Sequence, residues 1–333
     1  MKNTFLNEKS RRSCPSDQTE KSLFFSLVDY RNNYFTSNDP QKVLEFYNGF
    51  ENRHQLIQWM RERPSGVTNI YEVNGDKEII VVIPTADFNG KYARECKENI
   101  FKGLHIIFVE SAEIPDFYFN GAHNVNLGIK KAMEYNPKWI VFSNDDMIKI
   151  DDVKVLVKEL IKTNEDAFDV LFAKKKEYVT QISKVVERRF FLKILIFLLS
   201  RKYEWTRLEN KFGIKVKGSS VHGLSSLLYK KGWMFRSFNA FVIFSFNFCR
   251  TLGGNIFDEV YVNAAEDTDL SIRANTDYKS KELNFQIGAF KGKAFGMSML
   301  RRYREIPSNA YLNFKIETGM LKIGNHSHNL KKT

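Results

Sequence analysis

The stretch EIIVVIPTADFNG, Glu78 to Gly90, is where the fold first declares itself. Five consecutive apolar, β-branched residues, Ile79 to Ile83, run into Pro84-Thr85 and then into a polar loop. The run is too short for an ordinary buried helix, and β-branched side chains suit a strand. It therefore reads as a strand buried on both faces, the kind that parallel sheets contain.

Working downstream, KYARECKENIF reads as a helix, LHIIFVES as a second buried strand, FNGAHNVNLGIKKAMEYN as a helix and KWIVFSNDDM as a third strand. That rhythm predicts an α/β fold, a mostly parallel central sheet flanked by helices and joined by right-handed crossovers. Ligands of such open sheets bind beyond the carboxyl ends of the strands. Here those ends are PTAD, VES and SNDDM, all polar and each carrying a carboxylate.

Upstream, residues 1–22 read as a disordered polar tail and 23–77 as a helical extension. In the extension Val43, Leu44 and Phe46, then Leu56, Ile57, Trp59 and Met60, recur at helical spacing, and Pro64 and Gly66 close it. A catalytic domain is expected over 78–310. It includes a helix over 151–165, a strand in DVLFAKK, and an enlarged aromatic and basic acceptor-side region over about 174–250. Residues 311–333 read as a C-terminal tail.

With 333 residues, 43% of them hydrophobic, the chain has ample core material and is not a disordered one. Its formal net charge of +12 favours acidic partners such as nucleotides, phosphates or anionic lipid. The three cysteines, Cys14, Cys96 and Cys249, form no metal-ligand pattern and imply a reducing compartment. The N-terminus lacks the apolar core of a signal peptide, and no apolar run reaches the roughly 20 residues that span a bilayer. A cytoplasmic location is expected. The segment FFLKILIFLL, Phe190 to Leu199, is flanked by Arg188, Arg189, Arg201 and Lys202. It fits either a buried helix or an interfacial helix over 188–202 that meets the inner face of the membrane.

Two acidic stretches carry the chemistry. In SNDDM, Asp145 and Asp146 close a strand, and such a pair of hard oxygen donors suits Mg²⁺ or Mn²⁺ shared with substrate phosphates. The alternative is a helix cap, a service that Asp151 and Asp152 already offer. In NAAEDTDLSIRA, Asn263 to Ala274, Glu266, Asp267 and Asp269 crowd into four residues. They fit a helix start, where acids complement the dipole, or a catalytic base whose proton affinity the crowding raises, with Arg273 balancing the charge. The isolated His54, His105, His123 and His222 read as surface or satisfied core positions.

Taken in order, IIVVIPTADFNG, HIIFVES, NVNLGIKKA, WIVFSNDDM and FDEVYVNAAEDTDLSIR resemble a family 2 type glycosyltransferase with the GT-A fold, over about residues 78–275. The resemblance implies an inverting, metal-dependent transfer of a sugar from a nucleotide-diphosphate sugar to a hydroxyl of a glycan or a lipid-linked glycan, with no nucleic acid as partner. It places Pro84, Thr85, Ala86 and Asp87 near the nucleotide, Glu110 at its base or ribose, and Asn126 near the nucleotide-sugar. Asn144, Asp145 and Asp146 match the aspartate-x-aspartate motif, with Asp146 as principal metal ligand and Asp145 beside it. Asp267 falls at the general base, next to Glu266, and Phe257 to Glu259 lie on the acceptor side.

Two departures stand out. A His-x-Gly-x-Ser element of many relatives has Ala294 where His is expected, so a third protein ligand is either missing or supplied elsewhere, with His326 and His328 as candidates. The Gln-x-x-Arg-Trp motif of processive synthases is absent, which favours single-sugar transfer. A sugar-phosphate nucleotidyltransferase shares the acidic site, but TADFNGKYAR has one Gly and lacks its Gly-rich loop. A non-catalytic basic module for nucleic acid or a membrane surface, its acids merely caps, is the third reading.

Overall fold

The structure, a computed structural model, describes residues 39–63, 65–111, 120–174, 179–185, 204–217, 229–236, 240–262, 264–289 and 303–323. The tail over 1–22, the Phe190–Leu199 segment, Ala294–Ser298, His222, His326 and His328 lie outside them.

Among the described residues the strands are β1 (Thr68–Val73), β2 (Asp76–Thr85), β3 (Leu104–Ser111), β4 (Trp139–Ser143), β5 (Met147–Lys149), β6 (Val170–Phe172), β7 (Val179–Val185), β8 (Val216–Lys217), β9 (Tyr229–Arg236), β10 (Phe241–Ser245), β11 (Ser280–Glu282) and β12 (Ile287–Ala289). The helices are α1 (Pro40–Phe46), α2 (Arg53–Glu62), α3 (Lys91–Glu95), α4 (Gly121–Met133), α5 (Val153–Lys162), α6 (Glu204–Lys211), α7 (Phe246–Thr251), α8 (Glu266–Thr276) and α9 (Ile306–Glu317).

The central sheet has seven strands in the order β1-β3-β2-β4-β10-β6-β11. β2 pairs in parallel with β3 and β4, and β11 with β6, whereas β1 and β10 run against their neighbours. Five strands therefore point one way and two the other, so the protein is mixed α/β with helices flanking the sheet. β5 and β12 form a small ladder, and β7, β8 and β9 another.

The apolar run in β2 is buried on both faces, as its composition requires. Ile79, Val81 and Ile83 enter a cluster with Ala93, Cys96 and Phe101. Ile80 and Val82 enter another with Val125 and Ile129 of α4. Alternation in a pleated strand sends successive side chains to opposite layers, so neither layer tolerates a polar residue until the strand ends.

Three expectations need correction. The Phe-rich stretch over 240–245 is no acceptor-side lobe: it is β10, inside the main sheet between β4 and β6, with Phe241 to Ser245 all buried. An antiparallel strand shielded on both faces has no polar alternation to announce it. The helical extension supplies α1 and α2 but ends before 77, because Thr68–Val73 becomes the edge strand β1. Residues from 311 on are not simply a tail, since Tyr311 and Leu312 are buried within α9. That helix shares a core with Phe46, Trp59 and Phe212, so α9 and the early helices α1 and α2 build one layer.

Helix α4 lies unusually close to the sheet at Gly128, where a Cβ would stand 2.3 Å from Val82 Cγ1 and 3.0 Å from Val109 Cγ2. Both neighbours are rigid β-branched side chains on paired strands, so the helix would have to lift. Gly128→Ala is therefore expected to destabilise the fold by about 1–3 kcal/mol, the usual range for overpacking. Urea or thermal unfolding checks it, and a variant as stable as the parent would mean that the helix can shift freely.

Candidate active site

The carboxyl ends of β2, β3 and β4 lie side by side, and their first polar residues meet. Thr85, the last residue of β2, donates its hydroxyl to Asp145 Oδ2 at 2.8 Å. The turn after β4 is pinned twice more: Asn144 N–H donates to Ala240 O at 2.8 Å, and the Cys96 thiol contacts Asp145 O at 3.3 Å. These two carboxylates do not cap the following helix. Asp152 caps α5 by accepting from Lys154 N–H at 3.0 Å, and Asp151 accepts from Gln286 N–H at 2.7 Å.

Asp145 and Asp146 hold their protons more tightly than ordinary aspartates. Burial is the main cause for both, and at Asp145 the charge of Asp146 adds to it. Hydrogen bonds from Thr85 to Asp145 and from Asn144 to Asp146 pull the other way without cancelling the rise. Among the described residues no basic side chain partners them, and desolvated carboxylates of that kind are what a hard cation relieves. Among the described residues no group of three His, Cys, Asp or Glu side chains could hold a metal. Two carboxylates still fit Mg²⁺ or Mn²⁺, which are commonly held by one or two plus substrate phosphates.

Glu110, at the end of β3, braces the loop that follows β2. Its Oε1 accepts from Phe88 N–H at 2.7 Å and its Oε2 from the Tyr71 hydroxyl at 3.2 Å. Tyr71 in turn stacks on Phe88, ring centroids 4.4 Å apart and planes 10° apart. Pro84 is still in strand register with Val109, whereas Ala86 and Asp87 are exposed at the sheet edge. The bracing Tyr71 belongs to β1 and carried no sequence signal.

Asn126 has a structural task. It is fully buried, its Nδ2 donates to Phe257 O at 2.8 Å and to Glu259 Oε1 at 2.9 Å, and its Oδ1 accepts from Phe257 N–H at 3.0 Å. That uses both of its donors, so a nucleotide-sugar would find none free. His123, one turn earlier, meets Glu259 Oε2 at 2.7 Å, and Asn120 Nδ2 donates to Glu259 O at 2.7 Å. The loop Ile256–Glu259 is thereby docked on the first half of α4, at the carboxyl edge of the sheet. The Phe257 ring packs against Phe142 at the end of β4, centroids 5.3 Å apart, so this loop neighbours the Asn144–Asp146 turn.

From that loop the chain climbs to the acidic helix. Ala265 precedes α8 with φ 65°, a left-handed conformation unusual for a residue with a Cβ, and no side chain caps the helix. The three acids sit in the first turn, and their crowding is resolved in different ways. Asp269 is fully buried and is held by Arg273 Nε at 2.7 Å, Lys315 Nζ at 2.6 Å and the Tyr261 hydroxyl at 3.0 Å. Glu266 ends in an enclosed carboxyl whose Oε2 has no hydrogen-bond partner among the described residues. Burial, with the charge of Asp267 next, pushes Glu266 up to about 8. The acid with raised proton affinity is thus Glu266. Asp267 is half-buried and accepts from Thr268 N–H at 2.6 Å.

A carboxyl whose affinity for protons rises on folding stabilises the fold below its ordinary value of 4.5, and that contribution is lost as pH rises through about 8. Between those limits the melting temperature of the wild type should therefore fall relative to that of Glu266→Gln, whose amide does not titrate. Parallel curves for the two proteins would show that Glu266 is not desolvated.

No protein-family model matches the sequence, and no curated protein matches it. What the site does has to be read from its own groups.

Proposed function

We propose that the protein is an inverting, metal-dependent glycosyltransferase of GT-A architecture, which moves a sugar from a nucleotide-diphosphate sugar to an acceptor hydroxyl. The observation that carries this reading is the desolvated pair Asp145–Asp146 at the carboxyl end of β4, with a second acidic pair opening α8. Asp145 and Asp146 are desolvated and not spent on capping, and Glu266 and Asp267 follow the loop whose Phe257 packs at the end of the same strand.

The roles follow from chemistry. Asp146 and Asp145 would hold a divalent ion, which when bound neutralises the diphosphate as it leaves. Thr85 keeps Asp145 turned toward the strand end, and Asn144 does the same for Asp146. Glu266 keeps its proton at neutral pH because its carboxyl is enclosed beside the charge of Asp267. Asp267 is left as the carboxylate that takes the proton from the acceptor hydroxyl, and attack from the face opposite the leaving group inverts the anomeric centre. The exposed Ala86–Asp87 edge, braced by Glu110, is where the nucleotide would lie. The formal charge of +12 suits a polyanionic donor and anionic surfaces.

The test is a panel of UDP-, GDP- and dTDP-sugars with Mn²⁺, reading slow donor hydrolysis and transfer to simple glycan acceptors. Asp146→Ala should abolish both. Thr85→Val should lose about 10–100-fold, the usual effect of removing a partner that orients a metal ligand. Asp267→Asn should cut transfer by about 10²–10⁴-fold while donor hydrolysis, which uses water, falls less. No hydrolysis and no nucleotide-induced rise in melting temperature across the panel would sink the reading.

A further inference from the structure

Helix α9, which the sequence presented as the start of a tail, spends one of its faces on the segment that carries the acidic pair. Ser308, Tyr311 and Lys315 stand at i, i+3 and i+7, one stripe of a helix, and all are buried. Ser308 Oγ accepts from Val262 N–H at 3.0 Å and donates to Val262 O at 3.1 Å. The Tyr311 hydroxyl donates to Asp258 Oδ2 at 3.0 Å. Lys315 Nζ reaches both Asp258 Oδ2, at 2.9 Å, and Asp269 Oδ2, at 2.6 Å. The same ammonium lies 5.5 Å from the Tyr261 ring centroid and 5.6 Å from that of Tyr311. One cation thus grips the two ends of the segment Asp258–Asp269, and Glu266 and Asp267 lie between its two anchors. Arg273 completes the neutralisation by taking Asp269 Oδ1 at 2.7 Å and Ile256 O at 2.9 Å.

Stability alone does not account for this stripe, because buried ion pairs are often matched or exceeded by apolar residues of the same volume. Geometry does account for it. The segment enters α8 through the left-handed Ala265, a conformation that needs surrounding contacts to persist. We propose that Lys315 is a positioning residue: its ammonium clamps the two ends of the Asp258–Asp269 segment to α9 and thereby sets where Glu266 and Asp267 stand. Its effect on transfer rests on the transferase reading above, whereas its effect on the segment does not.

The experiment compares the full-length wild type with Lys315→Met and Lys315→Arg. Amide hydrogen exchange is read over residues 258–269, with β2 and β4 as internal reference. Lys315→Met should exchange about tenfold faster in that segment and be unchanged in the two strands, and Lys315→Arg should restore most of the protection. Exchange that rises equally everywhere, or nowhere, would overturn the clamp. In the activity arm Lys315→Met should lower kcat for transfer about 100-fold with the donor KM held within about twofold, since a displaced base costs turnover and not donor binding. A parallel loss in both parameters would overturn the positioning role. Wild-type protein inactive on every donor, with the exchange result as expected, would sink the transferase reading and leave the clamp standing. Should Lys315→Met fail to fold, Tyr311→Phe, which removes only the hydroxyl that donates to Asp258, is read by the same exchange criterion.

Discussion

A strand buried on both faces can carry polar groups only where it ends, and the candidate site follows from that constraint. Ile79 to Ile83 alternate between two apolar layers, so after Glu78 the next polar side chain of β2 is Thr85, at its last position. β4 obeys the same rule, and β3 does so beyond His105; their polar ends are Glu110–Ser111 and Ser143 with the Asn144–Asp146 turn that follows. Because these three strands run in parallel, their ends fall on one edge, and groups far apart in sequence come within hydrogen-bond reach without any loop having to be long.

The protein treats its buried acids in two opposite ways. Asp258 and Asp269 are matched by Lys315 and Arg273. At Asp258 burial alone would raise the proton affinity, but Lys315, the Val260 N–H and the Tyr311 hydroxyl more than offset it, and the carboxyl stays charged. Asp145, Asp146 and Glu266 are desolvated with no basic side chain beside them among the described residues, and all three shift upward. Perturbed carboxylates of this kind are costly to keep, which is why they mark sites of chemistry more often than structural ones.

Much of this was legible in the sequence, and the parts that were not share a cause. The β2, β3 and β4 runs, α4 and the acidic start of α8 were read close to their observed limits, because periodicity and end signals are local properties. β10 was missed because a buried antiparallel strand of Phe, Val and Ile has the same composition as an apolar lobe. The role of Asn126 was misplaced, since Asn-x-Gly says nothing of which backbone the amide will meet. His105, read as a surface or satisfied core position, is a core one: it is buried and meets Glu72 of the neighbouring strand at 2.8 Å, a partner that the sequence did not name.

The sequence by itself determined the α/β order, the polar strand ends and the identity of the acids, because burial on both faces and helix-start chemistry leave their marks within a few residues. Only the tertiary structure decided which acids are neutralised. Lys315 lies 57 residues from Asp258, and Tyr71 lies 39 from Glu110. Charge pairing depends on distance in space, and the packing of α9 onto α1 and α2 sets those distances in a way that no local pattern encodes.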